Sequence, residues 1–307
     1  GALYGPWALV WIVLGSIFAG GVHDYFSGML SVRYAGKSVP DVVGYNLGNG
    51  FKQFMRFFSV VLLLLVGVVF VTGPAALLAS MTNWTLLVWV VIIFAYYFLA
   101  TILPIDKIIG RIYPLFAVIL LIMAVGLTAM LFIKWFDFYP AAQWTNQHPK
   151  GLPLWPLMFI TIACGAISGF HATQSPMMAR CVPDENCGRP IFYGAMIAEG
   201  VIALIWATLG MTFYDTPDAL NATLAAGGPG KVVKDVSIAL MGPVGGILAI
   251  LGVVVLPITS GDTAFRSARL TIADFLNYSQ VENSRRLVIA VPLFVVGAVL
   301  SQMNFDL

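Results

Sequence analysis

Charge is what this sequence has least of. Of its 307 residues only 10% are Asp, Glu, Lys or Arg, whereas 60% are hydrophobic and the mean hydropathy is +0.91. A soluble globular domain carries about 25% charged residues, so a fully water-exposed surface is excluded and the chain reads as an integral membrane protein. A formal net charge of +2 is spread without any basic run, which excludes a nucleic-acid partner and a polybasic lipid-binding tail. Cysteine is scarce too. Cys164, Cys181 and Cys187 fit no zinc spacing, because the last two stand six apart without partner histidines, and a structural role is expected of all three. Neither His-x-x-x-His nor Gly-x-Ser-x-Gly occurs, so an intramembrane enzyme is the weakest function class. No metal or cofactor is expected. No signal peptide is recognisable, and the chain starts at Gly1 without methionine, as a fragment would.

Apolar runs are what the sequence has instead. A helix needs about 20 residues to cross the hydrocarbon core. Eight segments qualify, near 6–32, 54–80, 84–103, 114–136, 153–175, 190–213, 243–260 and 286–304. Twelve of the sixteen Lys and Arg fall in the loops after the first, third, fifth and seventh segments, among them Arg33, Lys37, Lys107, Arg180 and Arg266, and four fall in the others. Positive residues accumulate on the cytoplasmic side, so Gly1 starts on the outer side. Trp84, Trp135, Tyr139, Trp144 and Trp155 then cluster at outer boundaries, where interfacial aromatics belong.

Three connections have patterns of their own. From Pro104 to Pro114, Ile105, Ile108, Ile109 and Ile112 share one helical face and Lys107 and Arg111 another, the pattern of a short amphipathic helix in the cytoplasmic interface. The stretch Thr263 to Leu276 has the same character. Ala226 to Gly230 is glycine-rich but lacks the spacing of a phosphate loop, and reads as a flexible turn.

The fifth segment, Pro156 to Pro176, is apolar in its first half and fills with Gly, Ser, His, Thr and Gln in its second. That pattern breaks a transmembrane helix, and Gly165 and Gly169 would let the backbone leave helical geometry. A break at membrane depth frees backbone groups that hydrocarbon cannot satisfy, so it survives only where it lines a cavity or is packed in protein. Ionisable residues at that depth cost at least about 2.5–3.5 kcal/mol each unless paired or hydrated. Glu199, nine residues after Pro190, stands about 14 Å along its helix, close to the midplane. It is either a coupling carboxyl or a protonated group hydrogen-bonded within the bundle. His171 follows the break and either binds substrate or caps the second half-helix. His23 and Asp24 are a proton relay or an internal brace. Asp262 is read as an N-cap for the helix Thr263 to Leu276, although Thr259, Ser260 and unwound carbonyls nearby could hold a cation.

The runs Ile160 to His171, Ala19 to Asp24, Gly36-Lys37-Ser38 and Gly261 to Arg269 closely resemble the signatures of the carbon starvation protein A family, and the resemblance extends nearly end to end. It implies a bacterial inner-membrane importer of peptides, or in some members pyruvate, driven by a proton or cation gradient. After His171 many relatives continue with Ser, Gly and Thr and end in Thr-Pro-Lys, whereas this chain reads Ala172-Thr-Gln-Ser-Pro-Met177. The family also leads us to expect one broken helix ahead of Gly1 and further helices beyond Leu307.

The implied architecture is an all-α, polytopic transmembrane bundle. Residues 1–307 would form a single transporter domain with broken helices in a five-plus-five inverted repeat, resembling the amino acid, polyamine and organocation superfamily. Substrate would bind between the first helices of the two repeats. The stretch Cys164 to Ser175 would unwind and offer backbone donors and half-helix dipoles to a substrate carboxylate. Cys164, Gly165, Ser168, Gly169, Phe170, His171, Gln174 and Ser175 are the candidate binding residues. Glu199, His23, Asp24, Thr259, Ser260, Asp262 and Thr263 are the candidates for coupling and gating, with H+ or Na+ as the coupling ion. The implied partners are a small-molecule substrate and membrane lipid; the oligomeric state is not legible. A channel is the rival class, although no repeated pore-loop signature occurs. The charge asymmetry predicts that cysteines placed singly at Lys37 and Lys150, in a background without native cysteines, are labelled from opposite sides of the membrane; labelling of both from the outer side contradicts the topology.

Overall fold

The computed structural model describes residues 1–307 apart from 2, 83, 103–105, 135–136, 138–143, 149, 166, 168 and 304–307, with backbone alone at 106–113, 116, 249, 250 and 253. Among the described residues all regular structure is helical. Four helical runs among these residues are long and apolar enough to cross a membrane: Trp7–Arg33, Asn49–Met81, Glu185–Phe213 and Asn283–Gln302. Leu86–Ile102 and Ala117–Ile133 are shorter apolar helices where two further spans were expected.

The chain divides into two compact units, one of residues 1–55 and 128–222, the other of 56–127 and 223–307. The first holds α1 (Trp7–Leu14) and α2 (Gly21–Arg33), joined by a π-helical turn over Gly15–Gly20, then α3 (Val39–Leu47), α7 (Leu157–Cys164), α8 (His171–Ala179) and α9 (Ala195–Phe213). α4 (Asn49–Met81), α6 (Asp106–Ile133) and α10 (Pro217–Ile250) have residues in both units. The second unit is completed by α5 (Leu86–Ile102), α11 (Leu256–Leu276) and α12 (Asn283–Gln302).

In the first unit the π-turn does specific work. Gly21 N–H reaches back five residues to Ser16 O, and the Tyr193 hydroxyl donates to Ile17 O at 3.1 Å, which satisfies a carbonyl in the widened turn. Glycines leave a hollow there. A Cβ on Gly20 would stand 2.6 Å from Ile167 Cγ2 and 2.8 Å from Met196 Sδ, and one on Gly15 would also collide with Ile167. The side chain from the break between α7 and α8 is therefore seated in the first helix, in a buried cluster with Ala8, Ile12, Met158, Ile162 and Met196.

The second unit closes on an aromatic group. The Phe265 ring lies 5.5 Å from Phe94, 5.7 Å from Tyr97 and 5.5 Å from Phe294. Gly67 and Gly297 give it room, since a Cβ on either would come within 3 Å of the ring. α10 is interrupted twice, at Gly227–Gly228 and at Gly242, where Gly228 and Gly242 adopt φ of 68° and 66°. Both left-handed glycines precede a proline, Pro229 and Pro243, and such φ values cost a side chain what they do not cost glycine.

Several expectations need correction. Thr263 to Leu276 is not a separate interfacial helix. α11 (Leu256–Leu276) continues without a gap from a π-helical turn over Leu251–Val255 that itself follows α10, so no helix starts at Thr263. Pro104 to Pro114 is not a short helix of its own either: 103–105 lie outside the described residues and α6 continues from Asp106 through Pro114. The Ala226 to Gly230 turn is a kink between helical stretches. The cysteines are free thiols, Cys164 and Cys181 exposed and Cys187 half-buried, so none joins the buried core. Seating of Ile167 predicts that Gly20→Ala, an overpacking change costing about 1–3 kcal/mol, lowers the thermal midpoint of detergent-solubilised protein followed by tryptophan fluorescence, and that adding Ile167→Ala restores much of it.

Candidate functional site

The break in the fifth apolar segment is real and compact. α7 ends at Cys164, Gly165 leaves helical geometry at φ −95° and ψ −86°, and α8 starts again at His171. Ile167 N–H donates to Ile162 O at 3.0 Å and Gly169 N–H to Ala163 O at 2.9 Å, so the loop satisfies carbonyls at the end of α7. The break therefore falls between Cys164 and His171 and does not reach Ser175: Gln174 and the buried Ser175 are helical. Gly165 and Gly169 lack positive φ, and a Cβ on either would meet only ordinary contacts, at 3.4 and 3.7 Å.

The restart at His171 brings three helices' titratable groups together. Asp24, on α2, is 3% exposed. Its Oδ2 lies 2.7 Å from His171 Nδ1 and its Oδ1 2.9 Å from His23 Nδ1. A carboxylate only accepts, so both imidazoles donate from Nδ1. His171 then turns Nε2 toward Glu199 Oε2 on α9, at 3.4 Å. That distance is long for a charge-assisted hydrogen bond, which normally spans about 2.7–2.9 Å. His23 and Glu199 have side chains 49% and 39% exposed, whereas those of Asp24 and His171 are 5% and 24% exposed. One imidazole thus stands between two carboxylates. The Asp24 side is short and buried; the Glu199 side is long and open.

Two contacts missed in the sequence hold α2 against α8. Ser31, fully buried on α2, donates its hydroxyl to Lys37 O at 2.7 Å, with Pro176 O 3.4 Å away. Arg180 Nε donates to Gly36 O at 2.8 Å. Gly28 lies against the Phe192 ring, which a Cβ would approach to 2.6 Å. Small residues on α2, one turn apart, were the sequence signal for these two approaches, Ser31 to α8 and Gly28 to the Phe192 ring.

The remaining candidates fall as follows. Cys164, Gly165 and Gly169 are exposed, the Phe170 ring lies 6.4 Å from the His171 ring, and Ser168 lies outside the described residues. Thr259, Ser260, Asp262 and Thr263 belong to α11 in the other unit. Their backbone is not unwound: Thr259 Oγ1 donates to Leu256 O and Thr263 Oγ1 to Thr259 O, at 2.8 and 3.1 Å. Asp262 is no N-cap, because it lies in the second turn of α11, 5% exposed, and accepts from Arg266 Nη2 at 2.8 Å.

The family model of the carbon starvation protein CstA matches residues 4–86 and 71–226, a stretch that contains all four of His23, Asp24, His171 and Glu199. The chain belongs to the CstA family. It is 47% identical over 280 residues to an uncharacterized membrane protein of Haemophilus influenzae, covering 74% of this chain and 76% of that one. Similarity to the peptide transporter CstA of Campylobacter jejuni is 24% over 264 residues, 64% of this chain and 37% of the transporter. Against the pyruvate/proton symporter BtsT of Escherichia coli it is 46% over 59 residues, 17% of this chain and 8% of the symporter. The chain therefore spans little more than a third of the C. jejuni transporter.

The paired contacts of Asp24 make this family member sensitive to its loss. Removing one partner of a buried ion pair costs about 3–5 kcal/mol, so Asp24→Leu lowers the thermal midpoint markedly, whereas His23→Ala, at a half-exposed partner, shifts it little. Equal shifts for the two variants contradict the assigned burial.

Proposed function

We propose that this chain is part of a secondary active transporter that imports peptides or small carboxylates such as pyruvate across the bacterial inner membrane, coupled to protons. The observation that carries the reading is the His171 imidazole at the restart of a broken helix, held from behind by Asp24 and faced by Glu199. Broken membrane helices direct half-helix N-termini toward anionic substrate groups, and His171 is the first residue of such a half-helix. Both substrate classes carry a carboxylate. The names of the C. jejuni and E. coli relatives, peptide transporter and pyruvate/proton symporter, favour transport over catalysis. Cys164, Gly165, Gly169, Phe170, Gln174 and Ser175 would surround the substrate, and His23, Asp24 and Glu199 would handle the proton. Asp262 and the hydroxyls of Thr259, Ser260 and Thr263 would gate or hold a cation from α11.

The five-plus-five inverted repeat belongs to the same proposal. Each compact unit takes one piece from residues 1–127 and one from 128–307, in the chain order first, second, first, second. Two interleaved repeats would divide in that manner. A transporter domain of this kind alternates access around a fixed site.

Reconstituted protein is expected to accumulate radiolabelled pyruvate or dialanine saturably under an inward proton gradient, with a sodium gradient alone ineffective. His171→Ala is expected to lower uptake by at least about tenfold, since truncating one partner of a buried charge pair costs several kcal/mol. Ohmic currents with neither saturation nor accumulation would make the protein a channel.

A further inference from the structure

The two sides of His171 are unequal, and the difference points to a mechanism. Nδ1 is committed to a buried acceptor 2.7 Å away, whereas Nε2 meets Glu199 at 3.4 Å, where the carboxyl is 39% exposed. The contact on that side is electrostatic: an ionised Glu199 favours hydrogen on Nε2 and so an imidazolium, whereas a neutral His171 protonated at Nδ1 leaves Nε2 a bare acceptor and favours Glu199 as the acid. We propose that Glu199 is a tethered stand-in for the substrate's carboxylate: ionised, it occupies the Nε2 side of His171, and only after taking a proton does it yield that position to the carboxylate of an entering substrate. This inference rests on the carboxylate-import reading and adds to it an order of events and a stoichiometry.

The charges balance. Before loading, imidazolium with the Glu199 and Asp24 carboxylates sums to −1. After loading, Glu199 has become the neutral acid, the substrate carboxylate accepts from Nε2–H, and the sum is again −1. A monoanion such as pyruvate therefore enters with one proton and adds no net charge to a low-dielectric site where an unbalanced charge is costly, whereas a zwitterionic dipeptide balances in the same way at its carboxylate and brings its ammonium in addition. Among the described residues the titratable groups paired at this centre are His23 and Asp24 from α2, His171 from α8 and Glu199 from α9. Asp24 keeps its two imidazole donors throughout, which fixes the ring while the occupant of its other face is exchanged. A protein group and a substrate of the same chemistry compete for one N–H, and the proton decides between them.

The test is equilibrium binding of pyruvate and of dialanine to purified protein in lipid nanodiscs, from pH 5 to pH 8, for wild type and Glu199→Gln. Wild-type affinity is expected to weaken toward about tenfold per pH unit above the titration of Glu199, the limit when one proton must bind with each ligand. Glu199→Gln, which cannot ionise, is expected to bind with the wild type's low-pH affinity at every pH. Proton uptake in weakly buffered solution, read with a pH dye on wild type alone, is expected to reach one proton per carboxylate bound, and this arm does not depend on the variant's folding. Binding to wild type with the same pH slope retained in Glu199→Gln, or without proton uptake, overturns the proposal and leaves carboxylate binding intact. Absence of saturable binding of either probe to both proteins overturns the carboxylate reading and the proposal with it.

Discussion

A carboxylate that is 3% exposed and accepts from two imidazoles is the interaction on which the first unit depends. Alone at membrane depth, Asp24 would be prohibitively costly; with His23 and His171 donating to its two oxygens, it becomes a fixed point. The geometry around it follows. His171, which reaches Asp24, is the first residue of α8, directly after the break that follows Cys164. α2 and α8 also lie close, where the Ser31 hydroxyl comes within 3.4 Å of Pro176 O, while Gly28 leaves room on α2 for the Phe192 ring. Ile167, carried by the broken segment into the Gly15 and Gly20 hollow, anchors the loop from the opposite direction.

The same arrangement separates two tasks that one residue could not perform together. The Asp24 contact orients the imidazole through Nδ1, as an outer carboxylate orients many functional histidines, and leaves Nε2 for exchange. Glu199 answers from α9, close enough to interact and open enough to be replaced. A rigid anchor beside a replaceable partner is a suitable basis for coupling a proton to an anion, because only the second contact need change during a cycle.

Much of this was legible in the residues. The polar second half of Pro156 to Pro176 announced the break, and His23, Asp24, His171 and Glu199 stood out because ionisable groups in apolar runs demand partners. Their mutual pairing was not legible, since Asp24 and His171 are 147 positions apart and periodicity says nothing about which spans meet. Composition did mark where the helix ends, since Gly165 is the residue that leaves helical geometry, although neither it nor Gly169 adopts a left-handed φ. Asp262, by contrast, misled. Followed by polar residues it resembled a cap, but the helix runs on from the π-helical turn Leu251–Val255 and leaves Asp262 inside α11 beside Arg266. The Gly-Pro pairs at 228–229 and 242–243 were visible as sequence, yet only the second coincided with an expected segment boundary.

The most direct test of the central claim is the protonation state of the His171 ring, read by solid-state nitrogen NMR of ring-labelled protein in lipid bilayers across pH 5 to 8. If Asp24 anchors the ring, His171 Nδ1 carries hydrogen at every pH in that range, and any change with pH is confined to Nε2, the nitrogen that faces Glu199. A bare Nδ1 with hydrogen on Nε2 would contradict it, because the Asp24 carboxylate would then have no donor from His171 and the broken helix no fixed point.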